Sequence, residues 1–551
     1  MKKQDITLLV MLLHMIFILT AAAQCTGWAN TASGVNSNTA YGITLDEENN
    51  SYVAGYYNGP TTFGNITLND NGMYVVKYDS LGSQLWVKAF PGSFFGFPAS
   101  INYSNAALFF VTTFISSATF GNITLNTAGY YGIAVVKLNT DGDVLWAKTF
   151  SGTATSLGYG IYNTSSGKVL ITGKYKGTLT MGSYTLTGSA VLNGEYNIYI
   201  SDLDDSSGDV LWAQSSVVQA NFNNGRGYAI RTDIQGNIVL SGYYSNILQF
   251  GNQTLNNSGD LYAYAPYVAK FDSNGTCLWI NGGIGPATFD NVYALTTDSL
   301  SNIYFGCPID TTTIFSGETF HPEKGNFVIG KYNSSGALLW AKQWGSHVTD
   351  STSLVTVLHL NRNGTLTAYG WGRNEMIFDQ DTLTSVGGED IFSANFDTNG
   401  NYLSSFITGG IYGEFFHAAA FDEYDHAYIA GSFFGNTTTL GDFSLHGEAP
   451  VDSNFFVNIF VWKNCPAGIG TTVQTVQENQ ITVFPNPSNG LFFIAGVHEE
   501  TYLIRNIEGT VISQGKISDH EAIDLSGIAS GIYLLSLIDK NFMYQTKIFI
   551  Q

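Results

Sequence analysis

Phe63-Gly64-Asn65-Ile66-Thr67-Leu68 is the stretch that decides the fold, because six related stretches follow it along the 551-residue chain. The six copies are Phe120–Leu125, Met181–Leu186, Phe250–Leu255, Phe315–Phe320, Phe378–Leu383 and Leu440–Leu445. Consecutive copies begin between 57 and 69 residues apart. Repetition at this spacing predicts an array of one supersecondary unit whose copies pack against one another.

One unit can be followed through residues 40–90, where four β-rich runs alternate with Gly, Asn and Asp turns. The runs are Ala40–Asp46, Ser51–Tyr57, Met73–Asp79 and Gln84–Phe90. They predict an antiparallel four-stranded meander, with the repeated motif forming a small hairpin between the second and third strands. Such a sheet cannot bury both faces alone. We therefore predict an all-β protein in which seven copies stack radially as a seven-bladed β-propeller.

A Leu-Trp pair marks the fourth strand of most repeats. It occurs at Leu85-Trp86, Leu145-Trp146, Leu211-Trp212, Leu278-Trp279 and Leu339-Trp340. A Trp at one fixed place in each repeat predicts a packing contact between neighbouring sheets. The sixth repeat has Leu403-Ser404 instead, which predicts that its outer strand is the weakest.

The seventh repeat stops at Cys465 without a fourth strand. Gly27-Trp28-Ala29-Asn30, near the other end of the chain, matches the fourth-strand pattern. We therefore expect an N-terminal strand to complete the last blade, so that the propeller covers residues 24–465. Closure of the ring would remove two open sheet edges.

This arrangement predicts the bonding state of the four cysteines. Cys25 precedes the closing strand and Cys465 follows its neighbour, which predicts a disulfide between them. Cys277 and Cys307 lie in different repeats and are expected to be buried thiols.

The ends of the chain indicate export. Residues 1–23 have the pattern of a signal peptide, with Lys2 and Lys3 before an apolar run and Thr20-Ala21-Ala22-Ala23 as the cleavage region. No later segment is long enough to span a membrane. The formal charge of -21 argues against nucleic acid and anionic membranes as partners.

The composition changes after an aromatic-free linker at residues 466–480. Residues 481–551 contain seven short β-rich runs, which predict a small Ig-like β-sandwich. Three patterns stand out within them, namely PNPSNG at 485–490, IDLSGIASGIYLL at 523–535 and the terminal KIFIQ at 547–551. The sorting-signal residues of these patterns are Pro485, Asn486, Pro487, Gly490, Gly531, Tyr533 and Lys547.

These patterns resemble the type A C-terminal sorting domain of the Bacteroidetes type IX secretion system. The resemblance implies export, passage across the outer membrane with the secretion machinery as partner, and release or attachment at the cell surface. The repeats likewise resemble bacterial seven-bladed repeat proteins that precede such domains.

Chemical motifs are scarce. The D-x-x-G-x-x-x-W turns are similar to the tryptophan-docking repeats of quinoprotein dehydrogenases and to sialidase Asp-boxes. However, the repeat count, the cysteine positions and the shortage of arginines depart from those families. Asn139–Asp143 resembles the start of a calcium loop but is better explained as a hairpin turn. We therefore predict no catalytic residues, no metal ligands and no cofactor.

The connections that differ between repeats are the best candidates for a binding face, because rigid scaffolds present variable loops to ligands. The predicted face comprises Phe94, Phe95, Phe97, Tyr264, Tyr267, His347, Tyr412 and Glu414. Aromatic and polar side chains together favour a sugar or a peptide. We predict a monomeric, secreted or surface-attached, non-enzymatic module that binds glycan or protein. The alternative is a polysaccharide hydrolase or lyase with an acid/base pair such as Glu414 and Asp350.

Overall fold

The computed structural model divides the chain into two compact units, the first ending at Cys465 and the second starting at Pro466. It describes residues 25–34, 36–95, 100–164, 166–188, 196–217, 224–257, 264–285, 294–347, 353–447, 457–465, 482–495, 499–506, 511–518, 521–538 and 543–551. The signal-peptide and linker predictions therefore concern residues outside the described ones. Each unit consists of antiparallel strands, and the described residues include one 3₁₀ helix, Pro322–Lys324.

The described strands of the first unit pair as four-stranded antiparallel meanders, which we number in chain order. Meander 1 contains Thr39–Leu45, Ser51–Asn58, Asn71–Tyr78 and Gln84–Phe94. Meander 2 contains Ser100–Ser104, Ala107–Phe120, Ile123–Asn139 and Val144–Phe150. Meander 3 contains Ser156–Asn163, Lys168–Tyr175, Asn197–Asp204 and Val210–Ser215. Meander 4 contains Gly225–Thr232, Ile238–Phe250, Tyr264–Phe271 and Cys277–Ile284.

The later meanders follow the same order. Meander 5 contains Ala294–Thr297, Ile303–Pro308, Phe327–Tyr332 and Leu338–Trp344. Meander 6 contains Ser353–Leu360, Leu366–Gly372, Asp390–Phe396 and Tyr402–Thr408. Meander 7 contains Glu414–Phe421, Ala427–Phe434 and Val457–Asn464, and its fourth strand is Trp28–Gly34 from the start of the chain.

The N-terminal strand closes the array. Trp28 pairs with Lys463 and Ala32 with Ile459 in an antiparallel ladder. A disulfide joins Cys25 to Cys465 beside this ladder, as predicted, and ties together residues 440 positions apart. The other two cysteines are not joined by a disulfide: Cys307 is buried, and Cys277 is half-buried.

The hydrophobic core is divided among the interfaces between successive meanders. Tyr52, Met73 and Val75 of meander 1 pack against Leu108 and Phe110 of meander 2, for example. Similar clusters occur between the other neighbours, and one of them joins meander 7 back to meander 1. Each sheet thus buries both of its faces.

The repeated motif forms the expected hairpin and also joins adjacent meanders. Thr61–Phe63 and Ile66–Leu68 pair around Gly64, whose φ of 55° suits a tight turn. Phe63 is fully buried and Leu68 half-buried. Thr61–Phe63 additionally pairs with the end of Trp28–Gly34, in the preceding sheet. The motif is therefore part of the architecture.

The same hairpin recurs in the other meanders. Its arms are either part of the long strands already given or separate short strands. The separate arms are Thr178–Met181 with Tyr184–Thr187, Gln253–Asn257 with the end of Ile238–Phe250, Thr313–Phe315 with Glu318–Phe320, Glu375–Phe378 with Asp381–Thr384, and Thr437–Leu440 with Phe443–His446.

Tryptophans of the fourth strands make a second contact between neighbours. The Trp146 indole N–H donates to the Asp205 carbonyl of the next meander at 3.0 Å, and Lys148 pairs with Asp209 of the same turn. The equivalent indole bonds are Trp28 to Ser80, Trp86 to Thr140, Trp279 to Ser334 and Trp340 to Thr398. These tryptophans are thus placed between sheets, as predicted from the sequence.

The junction between meanders 6 and 7 explains why the sixth repeat lacks this Trp. In meander 7, the third and fourth strands come from opposite ends of the chain, so no hairpin turn is available to accept an indole N–H. Gly441 N–H instead donates to the Thr408 hydroxyl, which donates to the Thr439 carbonyl. The hairpin of meander 7 therefore contributes hydrogen bonds at this junction, beside the apolar core that meanders 6 and 7 share.

The second unit contains two sheets that share one apolar core. The first sheet consists of Thr482–Phe484, Leu491–Ala495 and Ala522–Asp524, and the second of Val511–Ser518, Glu499–Arg505, Gly531–Ile538 and Met543–Ile550. Phe492 and Ile523 of the first sheet share a core with Ile504, Leu535 and Ile548 of the second.

The indole contact predicts unequal roles for two adjacent residues. Trp146→Ala should lower the free energy of unfolding by about 3 kcal/mol, because it removes a buried side chain and its hydrogen bond. Leu145→Ala is the matched control, since Leu145 is 54% exposed, and it should change stability by less than about 0.5 kcal/mol. Urea denaturation measures both, and equal effects would contradict the assigned packing.

The disulfide should stabilise the closing ladder. Cys25→Ser with Cys465→Ser should lower the free energy of unfolding by about 2 kcal/mol, the lower end of the usual range, because strand pairing already holds these ends. Thermal denaturation of this variant is compared with that of Cys277→Ser, which changes a free thiol. Non-reducing peptide mapping that recovered Cys25 and Cys465 as thiols would overturn the assignment.

Candidate binding site around the central cavity

The first strands of five meanders carry a β-bulge near their beginning. In meander 1 the register shifts between Ala40 and Gly42, which leaves Tyr41 unpaired with the second strand. The corresponding bulged residues in meanders 3, 4, 6 and 7 are Tyr159, Tyr228, Thr356 and His417. Bulges redirect side chains and are frequent beside functional sites. We call these five residues the collar.

A glycine in the second strand makes each bulge possible. A Cβ atom on Gly242 would lie 1.8 Å from the Arg226 carbonyl oxygen, and one on Gly55 would lie 1.9 Å from that of Thr39. Gly173, Gly370 and Gly431 stand in the same relation to their own first strands. No other residue allows this approach, so the glycines and the bulges belong to one local structure.

The collar lines a central cavity of about 450 Å³, which is bordered by first strands from all the meanders. Further along the cavity, Arg231 is exposed to it. The His359 ring stacks on Phe421 and its Nε2 lies 2.9 Å from an Asp425 carboxylate oxygen. Burial lowers the pKa of His417 to about 4, so this collar residue is neutral at physiological pH.

Cationic and aromatic side chains meet beside the collar. The Arg226 guanidinium carbon lies 4.9 Å from the Tyr159 ring centroid, 5.1 Å from that of Tyr228 and 5.3 Å from that of Tyr243. Arg226 also donates a hydrogen bond to the Tyr228 hydroxyl. These three rings pack with Leu157, and we call Arg226 with the rings the tyrosine cluster. The arrangement places a planar cation among aromatic faces.

Lys174 is a second basic side chain in this region. It is only 6% exposed, and its Nζ lies 3.9 Å from the Tyr196 ring centroid. Burial lowers the pKa of Lys174 to about 6, and the nearby Arg226 guanidinium acts in the same direction. Within the described parts of the chain, neither Lys174 nor Arg226 forms an ion pair with a carboxylate.

Some residues predicted for the binding face reach this region. Phe95 and Tyr264 pack against the tyrosine cluster, and Asn224 donates to the Tyr264 hydroxyl at 3.2 Å. Phe94 lies nearer to meander 1, with its ring centroid 5.8 Å from that of Tyr56. His347 is exposed elsewhere, and Tyr412 is half-buried beside Gly435. Phe97 lies outside the described residues.

Two of the predicted residues do not belong to an accessible face. Tyr267 is fully buried, with its ring 6.4 Å from that of Tyr244, because the strand Tyr264–Phe271 is covered on both faces. Glu414 is also fully buried. In the structure described, these two side chains are therefore not exposed to a ligand, in contrast to the predicted face. Asp350, named with Glu414 as an acid/base pair, is outside the described residues.

Glu414 instead pairs with a second buried carboxyl group. A Cβ on Gly409 would lie 2.4 Å from Asp390 Oδ1 and 2.5 Å from Glu414 Oε2, so the two carboxyls converge at this glycine. Gly410 N–H donates to Glu414, and Val386 N–H donates to Asp390. Burial raises the pKa of Glu414 to about 8 and raises that of Asp390. One proton held by the pair avoids two buried like charges.

The residues predicted as a sorting signal form the framework of the second unit. The Asn486 side-chain amide donates to the Lys547 carbonyl, and its oxygen accepts from Phe549 N–H. The Tyr533 hydroxyl donates to the Ala529 carbonyl at 2.7 Å. Gly490 has a φ of 100° and lies against the Ser526 backbone. The three sequence patterns therefore contact or support one another.

Sequence reasoning missed the collar, Arg226 and Lys174. A local signal was present, since Ala40-Tyr41-Gly42-Ile43, Gly158-Tyr159-Gly160-Ile161 and Gly227-Tyr228-Ala229-Ile230 share one pattern. This pattern is also compatible with an ordinary strand, and by itself it predicts no more than that. A bulge changes which way a side chain points, and strand periodicity alone does not show this.

Comparisons with known proteins identify the C-terminal part of the chain. Residues 482–551 match the family described as the secretion system C-terminal sorting domain. This tail implies export and a secreted or cell-surface location. No described helix is long and apolar enough to cross a membrane.

The rest of the chain has more distant relatives. An uncharacterised WD repeat-containing protein of Acanthamoeba polyphaga mimivirus is 26% identical over 316 residues, which cover 46% of this chain and 22% of that protein. The chain thus spans about a fifth of the length of the curated relative it matches.

Solved structures show weak similarity. A catalytically inactive virginiamycin B lyase from Staphylococcus aureus has a TM-score of 0.40 and 9% identity, covering 80% of this chain and 100% of its own. Sqt1 from Chaetomium thermophilum has a TM-score of 0.37 and 9% identity, with the same coverage. The quinohemoprotein alcohol dehydrogenase from Comamonas testosteroni has a TM-score of 0.36 and 10% identity, covering 79% of this chain and 76% of its own.

The buried carboxyl pair predicts a pH-dependent stability. The pKa of Glu414 is raised on folding, so the folded chain holds a proton that the unfolded chain releases above its ordinary pKa. The stability from this group is complete below about pH 4, and it is lost as pH rises through about 8. The free energy of unfolding of the wild-type chain should therefore fall by a few kcal/mol over this range, and Glu414→Gln should not show this fall.

Thermal melts between pH 4 and pH 9 measure this difference. Glu318→Gln is the matched control, because Glu318 is exposed on a hairpin. A wild-type pH profile parallel to that of Glu414→Gln would show that no proton is held at Glu414.

Proposed function

We propose that the seven meanders are the blades of one closed β-propeller, residues 24–465, which acts as an exported binding module for glycan or protein. In this proposal residues 1–23 are a signal peptide, 466–480 a linker, and 481–551 an Ig-like sorting domain read by type IX secretion machinery. The protein is monomeric, needs no cofactor, and works outside the cell or on the outer-membrane surface of a member of the Bacteroidetes.

The collar is the observation that carries the binding function. Five bulges direct Tyr41, Tyr159, Tyr228, Thr356 and His417 toward one cavity, and each lies on a first strand held by neighbours on both sides. Rings and hydroxyls on a rigid frame suit a ligand with both flat apolar faces and polar groups. Sugars and peptides with aromatic residues have this character.

Closure of the ring supports a single rigid body for binding. First strands contact each other in succession around the cavity, and the N-terminal strand completes the last sheet. A rigid site loses little conformational entropy when ligand binds.

A polysaccharide hydrolase or lyase is the second candidate. Its support is the cavity itself, and Asp350, which the sequence suggests for it, lies outside the described residues. The buried position of Glu414 makes that residue unsuitable as its acid or base, because substrate cannot reach it.

Binding and turnover can be separated on the purified full-length chain. A glycan array should show retention of at least one oligosaccharide class, and a polysaccharide-degradation panel should show no product. Tyr41→Ala should weaken that binding about tenfold, since an aromatic contact contributes about 0.5–1.5 kcal/mol beyond its area burial and tenfold corresponds to about 1.4 kcal/mol. Tyr424→Ala is the control, because Tyr424 is exposed on a hairpin turn.

Release of product from any polysaccharide would contradict the non-enzymatic binding module and show that the protein is an enzyme. Absence of retention on both glycan and peptide arrays would contradict the proposed function altogether.

A further inference from the structure

Arg231 brings a guanidinium group to the central cavity. It follows the collar residue Tyr228 by three positions on the first strand of meander 4, and it lines the cavity. The side chain is exposed, yet burial lowers the pKa of its guanidinium. Both hold because Arg231 is exposed to the enclosed cavity and not to the outer surface. A guanidinium keeps its charge at physiological pH in any case. Arg231 therefore places a permanent positive charge inside the ring of meanders.

Within the described residues, this charge has no counter-ion. Arg231 forms no ion pair there, and its side chain donates no hydrogen bond. Its own strand and the turn that follows it are described without a gap. The carboxylate of that turn, Asp233, is paired with Lys270 at 2.8 Å, and Asp425 contacts His359 Nε2 at 2.9 Å. The guanidinium is therefore available to a ligand in the cavity.

Polar side chains occupy the same level of the cavity in other meanders. They stand three positions after the collar residues of meanders 1, 3 and 6, as Arg231 does in meander 4. We call these four residues, which all line the cavity, the polar ring: Thr44, Tyr162, Arg231 and His359. Burial is the larger influence on the pKa of Arg231, and the nearby Tyr162 phenol opposes it. Asn102 and Thr296 of meanders 2 and 5 line the cavity as well.

The apolar side chains of the same strands are buried between meanders. Ile43, Ile161 and Ile230 belong to three different interface cores. Each first strand, moreover, pairs with a second strand only among the described strands, so one of its backbone edges has no strand partner. The walls around Arg231 thus offer hydroxyl, amide, imidazole and backbone groups, all of which can form hydrogen bonds with a ligand.

These walls favour a hydroxyl-rich ligand with one carboxylate. A guanidinium binds a carboxylate through two parallel hydrogen bonds. One permanent cation suits one negative charge, and the net charge of -21 disfavours a polyanion. Polar walls suit the hydroxyl groups of a sugar better than the apolar side chains of a peptide.

The dimensions of the cavity agree with a short oligosaccharide. Its volume of about 450 Å³ lies within the usual range of small-ligand sites. The three residues from Tyr228 to Arg231 span about 10 Å along the strand. This is roughly the length of two linked sugar rings, so one ligand can contact both the collar and the polar ring.

We propose that Arg231 binds the carboxylate of an acidic sugar at the end of a short oligosaccharide, which lies in the central cavity between the polar ring and the collar. This inference rests on the proposed function and specifies its ligand class. Arg231 orients the carboxylate, the polar ring forms hydrogen bonds with the hydroxyl groups of the same sugar, and the collar contacts the next sugar.

The experiment uses a panel of oligosaccharides that end in one uronic acid, and the same panel after reduction of the carboxyl group to an alcohol. Only the charged group differs between the two panels. Isothermal titration of the full-length chain should show at least tenfold tighter binding of the best uronate ligand than of its reduced form.

Two substitutions of Arg231 test its role. Arg231→Gln should abolish the preference for the uronate form while retaining binding of the reduced form. Arg231→Lys should retain part of the preference, because it keeps the charge and loses the paired hydrogen bonds. Arg362→Gln is the matched control and should retain the full preference, since Arg362 is an exposed arginine on a hairpin turn.

The outcomes distinguish this inference from the proposed function. Equal binding of the two panels overturns the carboxylate site and leaves the binding module intact. Tighter binding of sulfated oligosaccharides, or binding of free-acid peptides alone, also overturns it, as does a preference that survives in Arg231→Gln with unchanged circular dichroism. Failure to bind any glycan or peptide contradicts both proposals. The comparison of the two panels on the wild-type chain decides the question even if a variant fails to fold.

Discussion

The pairing of Trp28–Gly34 with Val457–Asn464 is the interaction on which the rest of the first unit depends. Each meander has two apolar faces and needs a neighbour on both, so an open array would expose the faces and edges at its ends. Strand pairing between the two ends of the unit solves this problem, and the Cys25–Cys465 disulfide holds the pair. The same solution removes one hairpin turn. The fourth strand of meander 6 accordingly has no tryptophan, because meander 7 has no turn that could accept an indole hydrogen bond.

The closed arrangement also shapes the candidate site. First strands held between neighbours can carry bulges without losing their sheets, because the second-strand glycines accommodate the displaced carbonyl groups. Each bulge then directs one side chain into the cavity that the ring surrounds. Architecture and binding are therefore coupled at particular positions: Gly242, for example, permits the bulge at Tyr228 and thereby the packing of the tyrosine cluster around Arg226.

Charge is distributed unequally between the two ends of the sheets. Around the hairpin turns, buried lysines meet aspartates, as Lys77 meets Asp46 and Lys331 meets Asp298. In meander 3 the positions are exchanged, since Asp202 stands on the third strand and Lys168 on the second. Compensation of this kind indicates that these pairs maintain the sheets. Among the described residues, Lys174 and Arg226 contact aromatic rings instead of carboxylates.

The sequence by itself determined the repeating unit, the order of its strands, the strand at the N-terminus, the disulfide and the nature of the C-terminal unit. All of these depend on local alternation, on turn residues or on motifs that recur at a regular spacing, and each is visible in one dimension. Only the tertiary structure decided the candidate site. A bulge rotates Tyr159 toward the cavity without altering its strand-like sequence, while packing covers Tyr267 and Glu414 on a connection that looks exposed. Arg226 and Lys174 lie 52 positions apart in the chain, and they meet because neighbouring sheets bury their shared face, an effect of packing that no local pattern records.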